Sequence, residues 1–371
     1  MRHRERFEAV SWATLVLDEA HAMKNATTRR AGGARHPGRL RASAHRHAGR
    51  EPAERALELV PGGRAPGLLG SAESFRDTFA APIQNGDSEA PRRLARLVRP
   101  FILRRKKVEV AADLPAKSEV RVDVVLGGDE RARYEKVRKA VLAELAKDDA
   151  HPLDGGRGVI KVLSVLTRLR QLACHPRLVD PHAPATSAKL ERLMELVQEL
   201  RDEGRRTLVF SQFTELLGLV RTAFDEAGVS YAYLDGSTPA ERREVEIDTF
   251  QSGAVDAFLL SLKAGGVGLN LTAASEVIHL DPWWNPAAED QATDRAHRIG
   301  QDKPVTLYRL VAQGTIEEQI LGLHGDKRRM VASLLEGTGS AAALTVDELM
   351  ALLTEAPDDD ALRAPTARSA P

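Results

Sequence analysis

The chain has 371 residues, of which 43% are hydrophobic and 29% are charged, a composition typical of globular domains and not of disordered chains. Basic and acidic residues balance at 53 each, so the net charge predicts no partner, and a nucleic-acid surface would have to be a local basic patch. The single cysteine, Cys174, excludes an intramolecular disulfide. No apolar run has membrane-spanning length and the first residues lack the apolar core of a signal peptide, so we expect a soluble cytoplasmic protein.

The first predicted element is a buried strand at residues 12–18 (WATLVLD), which ends in the acids Asp18 and Glu19. Open α/β sheets bind ligands where their strands end. One acid there can hold magnesium on the phosphates of a nucleotide, while its neighbour orients the attacking water. The alternative interpretation is a solvated Asp-Glu pair that begins a helix.

The regular pattern is lost between about residues 29 and 65, where Gly, Arg, Ala, His and Pro dominate. Amphipathic helices are predicted at residues 129–149 and 159–173, and a further helix runs from about Ser187 to a glycine. Short apolar strands and helices then alternate, including a helix from Glu215 to Ala227. This alternation predicts a parallel doubly wound sheet. The predicted strands are TLVFS, YAYLD, AFLLSL, EVIHLD and TLYRLV.

Two segments that follow predicted strands carry rare features. In SLKAGGVGLNLTAA, Gly265, Gly266 and Gly268 would let a backbone or a phosphate approach closely. In DPWWNPAAEDQATDRAHRIGQ, Arg295 and Arg298 are three residues apart, so a helix would present both on one face. Two guanidiniums could neutralise the charge on a transferred phosphoryl group. The alternative is a surface helix with ordinary salt bridges.

Two other features have simpler interpretations. Cys174 and His175 are too few for a tetrahedral metal site. Trp283 and Trp284 could stack on bases, but we expect at least one of them to pack beneath the edge of the sheet.

The motifs resemble those of the Swi/Snf-related ATPases of helicase superfamily two, particularly the bacterial members. The resemblance covers residues 11–25, 98–118 and 161–336. It rests on DEAH, PFILRRKK, LTRLRQLACHP, LVFSQFTELL, YLDGSTPAERR, SLKAGGVGLNLTAA and above all DRAHRIGQ. It implies two RecA-like lobes that clamp ATP and move along duplex DNA without unwinding it.

The resemblance also implies a domain organisation. We expect residues 186–336 to form a three-layer α/β/α C-terminal helicase lobe. A helical connecting segment at 106–185 would precede it, after an incomplete first RecA-like lobe at 1–105. The tail at 337–371 is expected to contain one short helix and to end in disorder.

The same resemblance implies roles for individual residues, with ATP and magnesium as cofactors. Asp18 would bind magnesium through water, Glu19 would activate the hydrolytic water, and Arg295 and Arg298 would be arginine fingers. The nucleotide would also contact Gly266, Gly268 and Gln291. Residues expected to line the DNA track or to couple it to ATP are Ser211, Gln212, Ser261, Lys263 and Trp283. Contact with phosphates would make binding to double-stranded DNA independent of base sequence. A monomer is expected, with the transcription or repair machinery as possible partners.

Two features depart from the family. The sequence contains no GK[ST] loop, the element that cradles the phosphates, and we therefore interpret the chain as truncated and inactive alone.

The second departure is at residues 43–60, where members of the family have a segment that resembles ALTGTPVENRLSELWSLF. When His45–Glu51 are back-translated into permitted codons and these codons are read in a frame shifted by one nucleotide, they can encode Thr-Gly-Thr-Pro-Val-Glu-Asn. The agreement in the shifted reading frame predicts two compensating frameshifts, one near Ala31 and one near Arg64, which are either real mutations or sequencing errors. We therefore assign His45 and His47 no role as metal ligands. A lineage-specific loop is the alternative.

Overall fold

The computed structural model describes residues 14–17, 40–43, 72–84, 87, 89–101, 107, 111, 113–145, 156–262 and 269–323. The chain divides into two compact units. Unit 1 comprises Met1–Lys106 and Asp326–Ala343, and unit 2 comprises Lys107–Gly325 and Leu344–Pro371. None of the helices in the described part of the chain is both long enough and apolar enough to cross a membrane.

Unit 1 contains a two-stranded parallel sheet. Strand β1 (Thr14–Leu17) confirms the predicted strand before the acids, and it pairs with β2 (Leu40–Ser43). Strand β2 lies inside the segment where no element was predicted. Asp18 and Glu19 directly follow β1 but lie outside the described residues, as do the residues of 29–65 that flank β2. The frameshift therefore stays a prediction.

Unit 1 also contains a helical stretch formed by Ala72–Phe75, a π-helical turn at Arg76–Ala80, and Ala81–Gln84. Its buried residues Phe75, Phe79 and Ile83 are four apart and share one face, as the helical period requires. Helix α1 (Glu89–Val98) follows, and the Asp87 carboxylate caps it by accepting from the Glu89 amide at 2.7 Å.

Unit 2 is built on one sheet and the helices around it. Its elements are β3 (Lys117–Val124), α2 (Gly128–Leu145), α3 (Gly156–Cys174), α4 (Ala188–Asp202), β4 (Thr207–Ser211), α5 (Thr214–Ala227), β5 (Tyr231–Leu234), α6 (Ala240–Gln251), β6 (Ala257–Ser261), β7 (Glu276–His279), α7 (Pro286–Thr293) and β8 (Val305–Ala312). Residues 316–323 are also helical. The five strands predicted for the second half of the chain are confirmed as β4–β8, and the helix predicted from Glu215 begins one residue earlier.

The six strands of unit 2 are ordered β3-β8-β7-β4-β6-β5, and every neighbouring pair is parallel. After β4 the chain forms β5 and β6 on one side of it, and then β7 and β8 on the other. The strand order therefore reverses between β4 and β7, and the crevice at the carboxyl ends of these two strands is where such sheets bind ligands. The predicted parallel doubly wound sheet is confirmed.

Strand β3 was not predicted. Residues 106–185 were expected to be a helical segment, but Lys117–Val124 pairs along its whole length with β8 and extends the sheet of unit 2. Its first five residues are exposed, because β3 is the edge strand of this sheet. The limits predicted for the domains stay predictions.

The core of unit 2 has two main layers, one on each face of the sheet. Helices α4 and α5 pack on the face that carries Val209, Leu259 and Ile278. The opposite face, with Phe210 and Phe258 among its residues, is covered by segments that include α6 and α7. The alternation follows from the two-residue period of a strand and produces the three-layer α/β/α architecture. A third cluster joins α2, α3 and residues 316–323.

Candidate functional site

Polar residues gather at the carboxyl ends of β4, β6 and β7. Ser211 and Ser261 are the last residues of β4 and β6 and are register partners, which brings the two predicted DNA-track serines side by side. Gln212 follows Ser211, and Asp281 lies two residues after β7. We call this edge of the sheet, with Ser211, Gln212, Ser261 and Asp281, the carboxyl edge.

Asp281 is the centre of the carboxyl edge, although the sequence analysis did not single it out. Its carboxylate is buried and accepts hydrogen bonds from the Ser211 hydroxyl at 2.6 Å and from the backbone amide of Gln212 at 3.2 Å. Burial raises its pKa above the usual value, and Arg170 opposes that rise. The Ser211 hydroxyl is itself buried and also accepts from the Phe213 amide, so it ties the loop after β4 to Asp281.

Arg170 of α3 connects two loops of this edge. One terminal nitrogen donates to the Pro282 carbonyl at 2.6 Å and lies 3.5 Å from the Asp281 carboxylate. The guanidinium carbon lies 5.6, 5.4 and 5.5 Å from the ring centres of Phe213, Trp283 and Trp284. We call these three rings the aromatic cage.

Both tryptophans are half-buried, and Trp284 packs against the third core cluster. Trp284 therefore packs against the cluster that joins α2, α3 and residues 316–323, and its predicted position beneath the edge of the sheet stays a prediction. The Trp283 amide donates at 2.6 Å to Glu289, a fully buried carboxylate of α7 that pairs with Arg309 of β8. The loop that carries Trp283 is therefore anchored at both ends, by Asp281 and by Glu289.

The helix expected to present Arg295 and Arg298 on one face ends earlier than predicted. Helix α7 stops at Thr293, and both arginines lie in the turns that follow it. The Gln301 side chain folds back over these turns, and its amide nitrogen lies within hydrogen-bond distance of the carbonyls of Thr272, Ala274 and Ala296. These contacts hold the turns after α7, and Gly300 within them has a positive φ of 99°, a conformation that favours glycine.

The two arginines differ in their surroundings. Arg295 is buried, its guanidinium carbon lies 5.5 Å from the centre of the Phe210 ring of β4, and burial lowers its pKa from 12.5 to about 10. Arg298 is half-buried and donates to the Leu269 carbonyl at 3.1 Å. The Arg295 carbonyl in turn accepts from the Leu271 amide at 3.0 Å. The arginine turn, residues 294–301, is therefore joined to the end of the glycine-rich segment.

A lysine from the PFILRRKK motif holds the same turn. The Lys107 ammonium donates to the Asp294 carboxylate at 2.5 Å and to the His297 carbonyl at 2.7 Å. The His297 ring contacts the Pro115 carbonyl at 2.8 Å. Sequence reasoning assigned no role to Lys107, and its position within a motif that resembles the family was the available signal.

The remaining site residues fall in different parts of the chain. Gln291 lies on α7 and is partly exposed. Asp18, Glu19, Lys263, Gly266 and Gly268 lie outside the described residues. Within the described part of the chain no group of three or more His, Cys, Asp or Glu residues could hold a metal ion. His175 instead contacts the Ala185 carbonyl and accepts from the Arg177 amide.

Two protein families match the chain. The SNF2-related domain matches residues 65–178, and the helicase conserved C-terminal domain matches residues 188–300. The chain is 34% identical to the "Putative ATP-dependent helicase/translocase YwqA" of Bacillus subtilis over 94% of its own length and 38% of that protein. It is 33% identical to the mouse "SWI/SNF-related matrix-associated actin-dependent regulator of chromatin subfamily A member 1" over 86% of its length and 31% of that protein. The chain thus spans about a third of the length of these relatives.

One solved structure is similar over most of the chain. The "Sulfolobus solfataricus SWI2/SNF2 ATPase core in complex with dsDNA" is 32% identical and has a TM-score of 0.54. The match covers 95% of this chain and 74% of that one.

Proposed function

Because the chain belongs to the Swi/Snf-type ATPases of helicase superfamily two, we propose that it is the C-terminal part of an ATP-dependent translocase on double-stranded DNA. The observation that carries the proposal is the carboxyl edge. There Ser211 lies beside Ser261 of β6, and Ser211 and Gln212 contact Asp281 across the point of strand-order reversal between β4 and β7. The similar Sulfolobus core, solved with duplex DNA, supports the choice of partner.

The proposed chemistry divides between acids and arginines. Asp18 would hold magnesium through water and Glu19 would activate the hydrolytic water, since they follow β1 directly. Arg295 and Arg298 would stabilise charge on the transferred phosphoryl group, and the nucleotide would also contact Gly266, Gly268 and Gln291. The contacts that Lys107 and Gln301 make with the arginine turn would hold both guanidiniums in place.

The proposed DNA contacts are independent of base sequence. Gln212, Lys263 and Trp283 would contact the duplex, while the buried Ser211 hydroxyl would orient the loops through Asp281. Lysine contacts to phosphates would carry most of the affinity, so binding would weaken steeply as salt is added. The protein would act as a monomer in the cytoplasm, on the nucleoid when bound to DNA, in transcription or repair.

The 371-residue chain is expected not to hydrolyse ATP on its own. Its sequence contains no GK[ST] loop, and neither acids nor arginines can replace the phosphate cradle that this loop supplies. Phosphate release should therefore stay at background with and without duplex DNA, and Glu19→Gln should behave like the unmodified chain. DNA-stimulated phosphate release that Glu19→Gln abolishes would contradict this prediction.

Lys263→Ala is expected to weaken duplex binding in proportion to one lost phosphate contact. The slope of log affinity against log salt should become shallower by about 1. The matched control is Lys303→Ala, an exposed lysine two residues before β8 and therefore near the amino ends of the parallel strands. Anisotropy of a labelled duplex at several salt concentrations measures both slopes. Equal slopes for the two variants would exclude Lys263 from the DNA contact.

A second candidate function, a DNA-binding module without catalysis, is favoured by the fact that the whole carboxyl edge lies within unit 2. Accurate sequencing of the gene from upstream of codon 1 through codon 70 separates the two functions. An in-frame GK[ST] loop with an unbroken Thr-Gly-Thr-Pro segment supports the translocase. Confirmed frameshifts leave DNA binding alone, and a purified chain that fails to unfold cooperatively indicates a decayed gene product.

A further inference from the structure

Arg170 has surroundings that a core position does not require. It lies on α3 between Leu166 and Ala173 on the buried face of that helix, and it is 1% exposed. A buried guanidinium loses its hydration, and a buried ion pair such as Arg170–Asp281 is often no more stable than a pair of apolar side chains that fill the same volume. The Nε atom of Arg170 is buried and has no hydrogen-bond partner among the described residues. The hydrogen bonds of Arg170 are therefore incomplete, and they do not by themselves explain why an arginine is buried here.

The contacts of Arg170 lie on two loops that are far apart in the sequence. Phe213 belongs to the loop after β4, whereas Asp281, Pro282, Trp283 and Trp284 belong to the loop after β7. The planar guanidinium contacts the three rings and donates in its own plane to the Pro282 carbonyl, a combination that an ammonium cannot reproduce. Arg170 therefore fixes the distance between the two loops.

From these contacts we propose that Arg170 is a positioning residue for DNA binding, which holds Gln212 and Trp283 in the arrangement that the duplex recognises. The inference rests on the proposed function. Because Arg170 is buried beneath the aromatic cage, it acts through these two residues and does not touch a phosphate.

The experiment uses the full chain with Arg170→Met, Arg170→Lys and the control Arg168→Met. Arg168 lies on the same helix and is exposed, so the control removes the same charge. Anisotropy of a fluorescein-labelled duplex of about 30 base pairs measures affinity at several salt concentrations. We expect Arg170→Met to lower affinity by about tenfold, the scale of one lost well-placed contact, with an unchanged salt slope. Arg170→Lys should restore part of the loss, and Arg168→Met should change affinity by less than about twofold.

A second readout reports on the cage without DNA. Because the chain has three tryptophans, Trp12→Phe leaves Trp283 and Trp284 as the reporters of emission. Arg170→Met in this background should shift the emission maximum to longer wavelength, since the rings lose the cation that holds them together. The double variant Arg170→Met/Asp281→Asn removes the unpaired buried charge, so it should fold even if the single variant does not, and it should still bind DNA weakly.

The outcomes separate this inference from the proposed function. Wild-type affinity and emission in a folded Arg170→Met chain would overturn the inference. A salt slope that becomes shallower by about 1 would overturn it as well, because Arg170 would then contact a phosphate. If the unmodified chain fails to bind the duplex at low salt, the proposed function fails, and the emission shift alone then decides whether Arg170 positions the cage.

Discussion

Replacing Glu317 by alanine is expected to lower the free energy of unfolding of unit 2 by about 4 kcal/mol. Both carboxylate oxygens of Glu317 accept from the Lys189 ammonium at 2.6 Å, and the two side chains are 0% and 1% exposed. One oxygen also accepts from the Ala312 amide at 2.8 Å. The variant would leave the ammonium buried without its counter-ion, and leave the amide without its acceptor.

A double variant shows whether the loss comes from the unpaired charge. Lys189→Met/Glu317→Leu removes both ions and fills similar volume, so its stability should return to within about 1 kcal/mol of the unmodified chain. The control is Glu195→Ala, which breaks an ion pair on the exposed face of α4 in which the Glu195 carboxylate lies 2.8 Å from the Arg192 guanidinium. This variant should change stability by less than about 0.5 kcal/mol.

The measurement is urea unfolding followed by the emission of Trp283 and Trp284 in a Trp12→Phe chain. If Glu317→Ala is no more destabilising than Glu195→Ala, water must reach the Lys189 ammonium and the pair is not buried in solution. If Glu317→Ala does not fold, the double variant still tests the explanation, because it lacks any buried charge at this position.

The strands of unit 2 could be predicted because each buried strand is a short apolar run. TLVFS and AFLLS are buried at every position, and this continuous pattern is typical of a strand covered on both faces of a parallel sheet. Strand β3 was not predicted because it lacks such an apolar run. KSEVRVDV lies at the edge with most residues exposed, so its alternating polar residues give no such run.

The buried charges of the site could not be predicted from the sequence alone. Arg170 and Lys189 lie on the apolar faces of α3 and α4, which marks them as unusual. Their partners are distant in the sequence, because Asp281 lies in the loop after β7 and Glu317 lies in the helical residues 316–323. Only the folded sheet brings these groups together. The end of α7 was missed for a related reason, since the contacts within the turns after Thr293, such as that of Gln301 with Ala296, form only in the folded chain.

Replacing Arg295 by methionine is expected to raise the free energy of unfolding by about 2 kcal/mol, although most buried substitutions destabilise. Burial lowers the pKa of Arg295 from 12.5 to about 10. A lowering of this size corresponds to about 3 kcal/mol against the charged form, which is the form present at neutral pH. Favourable contacts of the guanidinium, among them that with the Phe210 ring at 5.5 Å, offset about 1 kcal/mol of this. Methionine keeps the ring contact without the charge.

The control is Arg298→Met, which should change stability by less than about 0.5 kcal/mol because Arg298 is less buried than Arg295. Urea unfolding of both variants measures the difference. A loss of stability in Arg295→Met would mean that the contacts of this guanidinium outweigh its dehydration, and that Arg295 is a structural residue. A gain would mean that the fold keeps a destabilising cation in the arginine turn. That is expected of a side chain retained to stabilise negative charge on a bound nucleotide and not to stabilise the core.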